Sequence, residues 1–269
     1  MIKLICIDLD GTLFNDSTKI TNYTKEVIAR ARKLGIKIII TSGRPLTGVD
    51  SVIDYLELDD SDYVITYNGG LIQTVGGEPI QQFALTYQDV LEIDLFNRIH
   101  GTNVEFQTPI DAYTTWHHVN WHVSFENFMT HLPLNIVEEG DLPPNLTYIK
   151  AMANDGPNVL DQIELKIPET FYKKLNVIRS SPNNIEFLNK NATKGNGMRA
   201  LSKKLGIDLR ETMAIGDETN DLSMIETAGL GVAMGNAIPA IKKIAQVETD
   251  DNNHDGVAKA IEKFALNTF

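Results

Sequence analysis

The sequence predicts an α/β protein: a doubly wound parallel sheet interrupted by an inserted α+β domain. Three observations carry this prediction. Strand and helix signals alternate through the first third of the chain and again through the last third, the pattern that builds a parallel sheet with right-handed crossovers. The strand signals there are unbroken apolar runs, as expected for strands buried on both faces. Between about 83 and 188 the pattern changes. Helix-like stretches mix with short strands, punctuated by Pro133, Pro143, Pro144, Pro157, Pro168 and Pro182.

Taken in order, 3–7 reads as a strand and 15–19 as a polar loop. Thr21 or Asn22 then caps a helix over 24–34, with Val27, Ile28, Ala31 and Leu34 on its apolar side, and Gly35 ends it. A second strand, 36–41, runs into Ser42-Gly43-Arg44-Pro45. A helix over 46–56 and a strand over 63–67 follow, the latter ending at Asn68-Gly69-Gly70. The middle offers helices over 87–99, 125–132 and 169–175, and strands over 103–106, 146–153 and 185–188. After Lys194-Gly195 come a helix (196–205), a strand (212–215), the polar run Gly216-Asp217-Glu218-Thr219-Asn220-Asp221, and a helix (222–228). A strand (230–233) and helices over 238–244 and 257–265 complete the chain. The expected core is therefore 1–83 with 189–269, the insertion 84–188, and the hinges lie near 81–85 and 189–193.

With 269 residues the chain can bury a sizeable core, and its 42% hydrophobic and 22% charged residues are those of a soluble globular protein. A formal net charge of −12 argues against nucleic acid or an anionic membrane as partner, because both need basic patches. The apolar start is broken by Asp8 too early for a signal peptide, and no run approaches the length that spans a bilayer. The single cysteine, Cys6, lies inside the first apolar run and reads as a core thiol, which fits a cytoplasmic protein.

Chemistry concentrates in four short segments: 8–12, 42–43, 194–195 and 216–221. Each follows an apolar strand or opens a helix, so a parallel sheet can bring them together along one edge. Asp8 and Asp10 are spaced i, i+2, which in extended backbone sends both carboxylates to the same side. Like charges that close repel unless a cation intervenes, which allows a Mg²⁺ site, an acid/base pair, or both. The four segments together offer carboxylates, a hydroxyl, free N–H groups and one ammonium, an inventory that suits a phosphate and Mg²⁺.

In this order and spacing, Asp8-Leu9-Asp10-Gly11-Thr12, Ser42-Gly43-Arg44, Lys194-Gly195 and Gly216-Asp217-Glu218-Thr219-Asn220-Asp221 resemble the four motifs of the haloacid dehalogenase superfamily. The insertion between the second and third is similar to that of the Cof-type sugar-phosphate phosphatases, which carry an α+β cap of type IIB. Asn68-Gly69-Gly70, Ile185-Glu186-Phe187 and Asp255-Gly256-Val257-Ala258 resemble further landmarks of that group. The resemblance implies that Asp8 is the nucleophile and Asp10 the acid/base. It implies Mg²⁺ held by Asp8, the Asp10 carbonyl and Asp217, with support from Glu218 and Asp221. Ser42, the N–H groups of Leu9 and Gly43, Lys194 and Asn220 would hold the phosphoryl group. The implied activity is hydrolysis of a small phosphorylated metabolite, a sugar phosphate or phosphorylated cofactor, with a cap that chooses the substrate. A phosphomutase and a non-catalytic sensor of a phosphorylated ligand are the rival readings.

Some residues carry competing readings. Thr12 caps a turn or joins the site, and Asp221 caps the helix at Leu222 or supports the metal. Alone, Lys194 would be a solvated surface residue. His117, His118 and His122, with Trp116 and Trp121, form a dense patch in the insertion. His118, His122 and Glu126 share helical spacing, compatible with a metal pair. A surface or core cluster and a grip on the leaving group are the alternatives.

Overall fold

Leu4–Ile7 are fully buried and pair with a parallel strand on each side, Thr212–Gly216 and Lys37–Thr41. They stand near the middle of an eight-stranded sheet in a computed structural model that describes residues 1–267. The strands run Val247–Glu248, Leu230–Ala233, Thr212–Gly216, Leu4–Ile7, Lys37–Thr41, Tyr63–Thr66, Leu71–Thr74 and Pro79–Gln82. From Leu4–Ile7 the chain adds four strands on one side, and its last third adds three on the other. The strand order therefore reverses beside Leu4–Ile7, the position where doubly wound sheets open a crevice at their carboxyl edge.

The chain folds into two compact units. The first holds 1–43, 50–81 and the chain from Thr193 onward; the second holds Arg44–Val49 and Gln82–Ala192. The short piece Arg44–Val49 belongs to the second unit partly because Thr47 Oγ1 donates to the Thr130 carbonyl at 2.6 Å. Nothing in the sequence around Pro45 sets that piece apart. Two elements of the first unit were also not legible. The hairpin Leu71–Thr74 with Pro79–Gln82 lies at the sheet margin, where a proline costs no ladder bond, and Val247–Glu248 is too short for a pattern.

The second unit is a six-stranded sheet ordered Leu175–Ser181, Asn184–Asn189, Lys150–Asn154, Val104–Gln107, Ala112–Thr114 and Leu134–Ile136. Its pairs are antiparallel except the last. Val104, Phe106, Ala151, Ala153, Ile185 and Phe187 alternate onto one face and join Val90, Ile93 and Leu160 from the helices Tyr87–His100 and Pro157–Glu164. Thr86 and Asp89 form a reciprocal capping box at the start of the first of these helices.

Another helix, Trp121–Thr130, starts at the side-chain cap of Asn120. His118 therefore lies before the helix, and the helical His118–His122–Glu126 spacing does not form. Asn120 ends the extended approach by offering its carboxamide oxygen to the Val123 N–H, which competes successfully with continuing the helix backward. Among the described residues no helix is long and apolar enough to cross a membrane.

The opposite sheet face of the second unit is charged. Lys150 Nζ lies 3.3 Å from Glu186 Oε1, both side chains being nearly inaccessible. Glu105 accepts from Gln107 Nε2 at 2.6 Å and from Asn127 Nδ2. Burial pushes its carboxyl up to about 7, against the pull of the Asn127 and Gln107 amides. A carboxyl that holds its proton more tightly folded than unfolded contributes stability below its ordinary 4.5 and loses it as pH rises through about 7. The loss is of order 3 kcal/mol. Melting temperatures at pH 5 and pH 8 should fall further for the wild type than for Glu105→Gln, which has no proton to lose.

Candidate functional site

The loop after Leu4–Ile7 turns sharply because of one glycine. Asp10 (φ −76°, ψ 119°) and Gly11 (φ 78°, ψ −2°) are the two central residues of a type II turn, whose second position requires positive φ. A Cβ on Gly11 would also stand 2.4 Å from Asp217 Oδ2, so the backbone approaches that carboxylate as only glycine allows. The turn closes with Leu13 N–H donating to the Asp8 carbonyl (3.2 Å) and Phe14 N–H to that of Leu9 (2.9 Å). Thr12, two residues beyond Asp10, donates its hydroxyl to Asp217 Oδ1 at 2.6 Å. It therefore serves the site, holding one carboxylate.

Lys194 opens the helix Lys194–Leu205, capped by the Thr193 side chain. It is fully buried, and its ammonium bridges Asp8 Oδ1 (2.5 Å) and Asp221 Oδ1 (2.6 Å). Gly195 lets this helix press against its neighbour, since a Cβ there would sit 2.3 Å from the Ser223 carbonyl. Asp221 also accepts the N–H groups of Asp217 (2.9 Å) and Glu218 (3.1 Å) through Oδ2. It makes no side-chain cap for the helix Leu222–Thr227. Asp221 is thus a buried organiser of the loop that carries Asp217.

On the other flank, Ser42 follows Lys37–Thr41 and is 2% exposed. Its N–H donates to Ile65 (2.9 Å), and its carbonyl accepts from Asn68 N–H (2.9 Å). Asn68, in a left-handed conformation, accepts from Asn220 Nδ2 at 3.0 Å, and its side chain also lies against Gly43. Asn68 links the second and fourth segments, a role that Asn68-Gly69-Gly70 at a strand end flags without showing its partners.

The structure thus brings together Asp8, Asp217, Asp221 and Lys194, with Ser42, Gly43 and Asn220 at neighbouring strand ends. Leu9 is buried. Asp10 is exposed at the turn. Glu218 does not join them, contrary to the expectation of a supporting carboxylate. It is exposed and spends Oε1 on the Thr219 N–H (2.7 Å) and hydroxyl (2.8 Å). A glutamate two residues past the strand end satisfies the next turn more easily than it reaches back.

Asp8, Asp217 and Asp221 each offer an oxygen within 4.8 Å of the others. Burial and the Asp221 charge push the Asp8 carboxyl well above its ordinary range, although Lys194 pulls the other way. Burial likewise raises Asp217 to about 6, opposed by the Thr12 hydroxyl. Burial works against the Lys194 charge, but Asp221 and Asp8 outweigh it and raise its proton affinity. One ammonium does not neutralise three carboxylates. The uncompensated charge and the all-oxygen donors fit a hard divalent cation such as Mg²⁺.

The family description of haloacid dehalogenase-like hydrolases matches residues 5–261. "Putative phosphatase M6_Spy0533" of Streptococcus pyogenes serotype M6 is 38% identical over 268 residues, covering 99% of each chain. The 5-amino-6-(5-phospho-D-ribitylamino)uracil phosphatase YcsE of Bacillus subtilis is 33% identical over 269 residues, 98% of this chain and 96% of its own. The solved structure of the HAD subclass IIB sugar phosphatase BT4131 superposes with a TM-score of 0.80 at 27% identity, covering 98% of this chain and 99% of that one. Fold, ordered segments and sequence agree along nearly the whole length, and the chain belongs to the haloacid dehalogenase-like hydrolases.

Proposed function

We propose that this protein is a Mg²⁺-dependent phosphatase that hydrolyses small phosphate monoesters through an aspartyl-phosphate on Asp8. The observation that carries the reading is the Asp8 carboxylate. It stands at the carboxyl end of the central strand, held by Lys194 and within reach of Asp217 and Asp221. Asp8, Asp217 and the Asp10 carbonyl would hold the cation, with Asp221 fixing the loop of Asp217. When bound, Mg²⁺ supplies positive charge that lets two anions, carboxylate and phosphate, approach one another.

Lys194 engages Oδ1 of Asp8, which leaves Oδ2 to attack phosphorus. As the new O–P bond forms, the ester P–O bond breaks, and Asp10 gives its proton to the departing alkoxide. Asp10 then takes a proton from water as that water attacks the phosphoryl group. The O–P bond to Asp8 breaks, releasing phosphate and restoring both carboxyls. Lys194, Ser42, Asn220 and the N–H groups of Leu9 and Gly43 bind the phosphoryl oxygens, where charge-assisted bonds are strongest.

The second unit chooses the substrate. YcsE is named for a ribitylaminouracil phosphate and BT4131 for sugar phosphates, so polyhydroxylated alkyl phosphates are the first class to try. Phosphate release from a panel of such esters should require Mg²⁺. EDTA should cut it at least about 100-fold, and added Mg²⁺ should restore it. A folded protein that releases phosphate from no ester would sink this reading and favour a mutase or a sensor.

A further inference from the structure

Asn236 lies in the loop after Leu230–Ala233, exposed, where the sequence singles out nothing. Its Nδ2 donates to the Gly11 carbonyl at 2.8 Å and stands 3.5 Å from Asp217 Oδ2. Its Oδ1 accepts the Asn252 N–H at 3.1 Å. Asn252 in turn donates through Nδ2 to the Phe14 carbonyl and to Asp16 Oδ1, each at 3.1 Å. Two amides from the last third of the chain thereby hold the segment that leaves the Asp10 turn. Gly11 is the turn's most permissive residue, so its carbonyl is the point where the turn would otherwise rotate.

We propose that Asn236 is a positioning residue: by holding the Gly11 carbonyl it fixes the turn that presents Asp10 to the leaving group. This rests on the reading of Asp10 as proton donor given above. It has a consequence that simple loosening of the fold does not. An alkoxide cannot depart without a proton, whereas p-nitrophenolate is a stable anion and needs little help. A displaced Asp10 therefore costs more on an alkyl ester than on an aryl ester, while a loosened fold costs the same on both.

The test measures kcat/KM on p-nitrophenyl phosphate and on the best sugar phosphate of the panel, for wild type, Asn236→Ala and Asp10→Asn. This parameter covers the steps through formation of the aspartyl-phosphate, where the leaving group takes its proton. The alkyl-to-aryl ratio should fall about tenfold in Asn236→Ala and further in Asp10→Asn, with the Mg²⁺ affinity of Asn236→Ala, read by calorimetry, within about twofold of wild type. An unchanged ratio, or a loss that follows weakened Mg²⁺ binding, would overturn the assignment. Should Asn236→Ala fail to fold, Asn236→Asp keeps the size and the acceptor for Asn252 but removes the donor, and reads the same ratio. A wild type inactive on both esters would overturn the phosphatase reading itself, an outcome distinct from a normal wild type with an unmoved ratio.

Discussion

Asp8→Asn should abolish phosphate release, by a factor on the order of 10⁴ or more, and at the same time leave the fold as stable as before or more so. The two effects have one origin. The carboxylate is the attacking group in the proposed reaction, and an amide oxygen cannot replace it. In the free protein that same carboxylate is buried among like charges, which raises its proton affinity well above the ordinary 3.8. A group so shifted costs stability at every pH above its unfolded value, and the neutral isostere removes the cost. Thermal melts at pH 7.5 beside a phosphate-release assay would check both halves. A variant that retains activity would remove Asp8 from the reaction, and a large fall in melting temperature would contradict the charge imbalance described above.

Lys194→Met should act in the opposite sense on stability. Its ammonium is the partner of both Asp8 and Asp221, and all three side chains are almost fully buried. Removing the cation from such a cluster leaves two carboxylates uncompensated, a change that typically costs about 3–5 kcal/mol. The ammonium no longer opposes the rise in the Asp8 carboxyl's folded proton affinity, so the deficit should grow as pH increases from about 4 and shrink in acid. Denaturant midpoints at pH 5 and pH 8 would reveal this slope. Adding Asp221→Asn to Lys194→Met should recover part of the stability but none of the activity, since the cation that Asp8 and the phosphoryl group share would still be missing. Equal stability of wild type and Lys194→Met at pH 8 would show that the pair is not as strongly coupled as its geometry implies.

Much of the first unit was legible because its signals are local. Leu4–Ile7 and the run Ile38-Ile39-Ile40 are apolar without a break, as expected of a doubly covered strand, and Gly11 and Gly35 mark backbone that must take positive φ. The four site segments could be placed together because each ends a strand or opens a helix of that sheet. What was not legible depends on partners far along the chain. Thr12 reads as a turn cap or a site residue until Asp217 stands beside it. Asp221 reads as a helix cap or as support for the metal until Lys194 takes one of its oxygens and the loop N–H groups take the other. Glu218 has a carboxylate in the right stretch of sequence, yet its own neighbour, Thr219, claims it first. In the second unit, strands of three residues such as Ala112–Thr114 and Leu134–Ile136 are shorter than any periodicity, and only pairing defines them.

The central strand is made first and completed late. Leu4–Ile7 gain one neighbour, Lys37–Thr41, soon after they are synthesised, but the other, Thr212–Gly216, lies more than two hundred residues away. On a ribosome releasing the chain from its amino terminus, one edge of the nascent sheet stays open while the whole inserted unit is translated. Contacts of such high sequence separation slow folding and expose unpaired edges to other chains. The inserted unit has almost all of its sequence in one stretch and can settle meanwhile. Asp8 meets Lys194 and Asp217 only in the last third of synthesis, so an incomplete chain carries that carboxylate without the partners that surround it once folded.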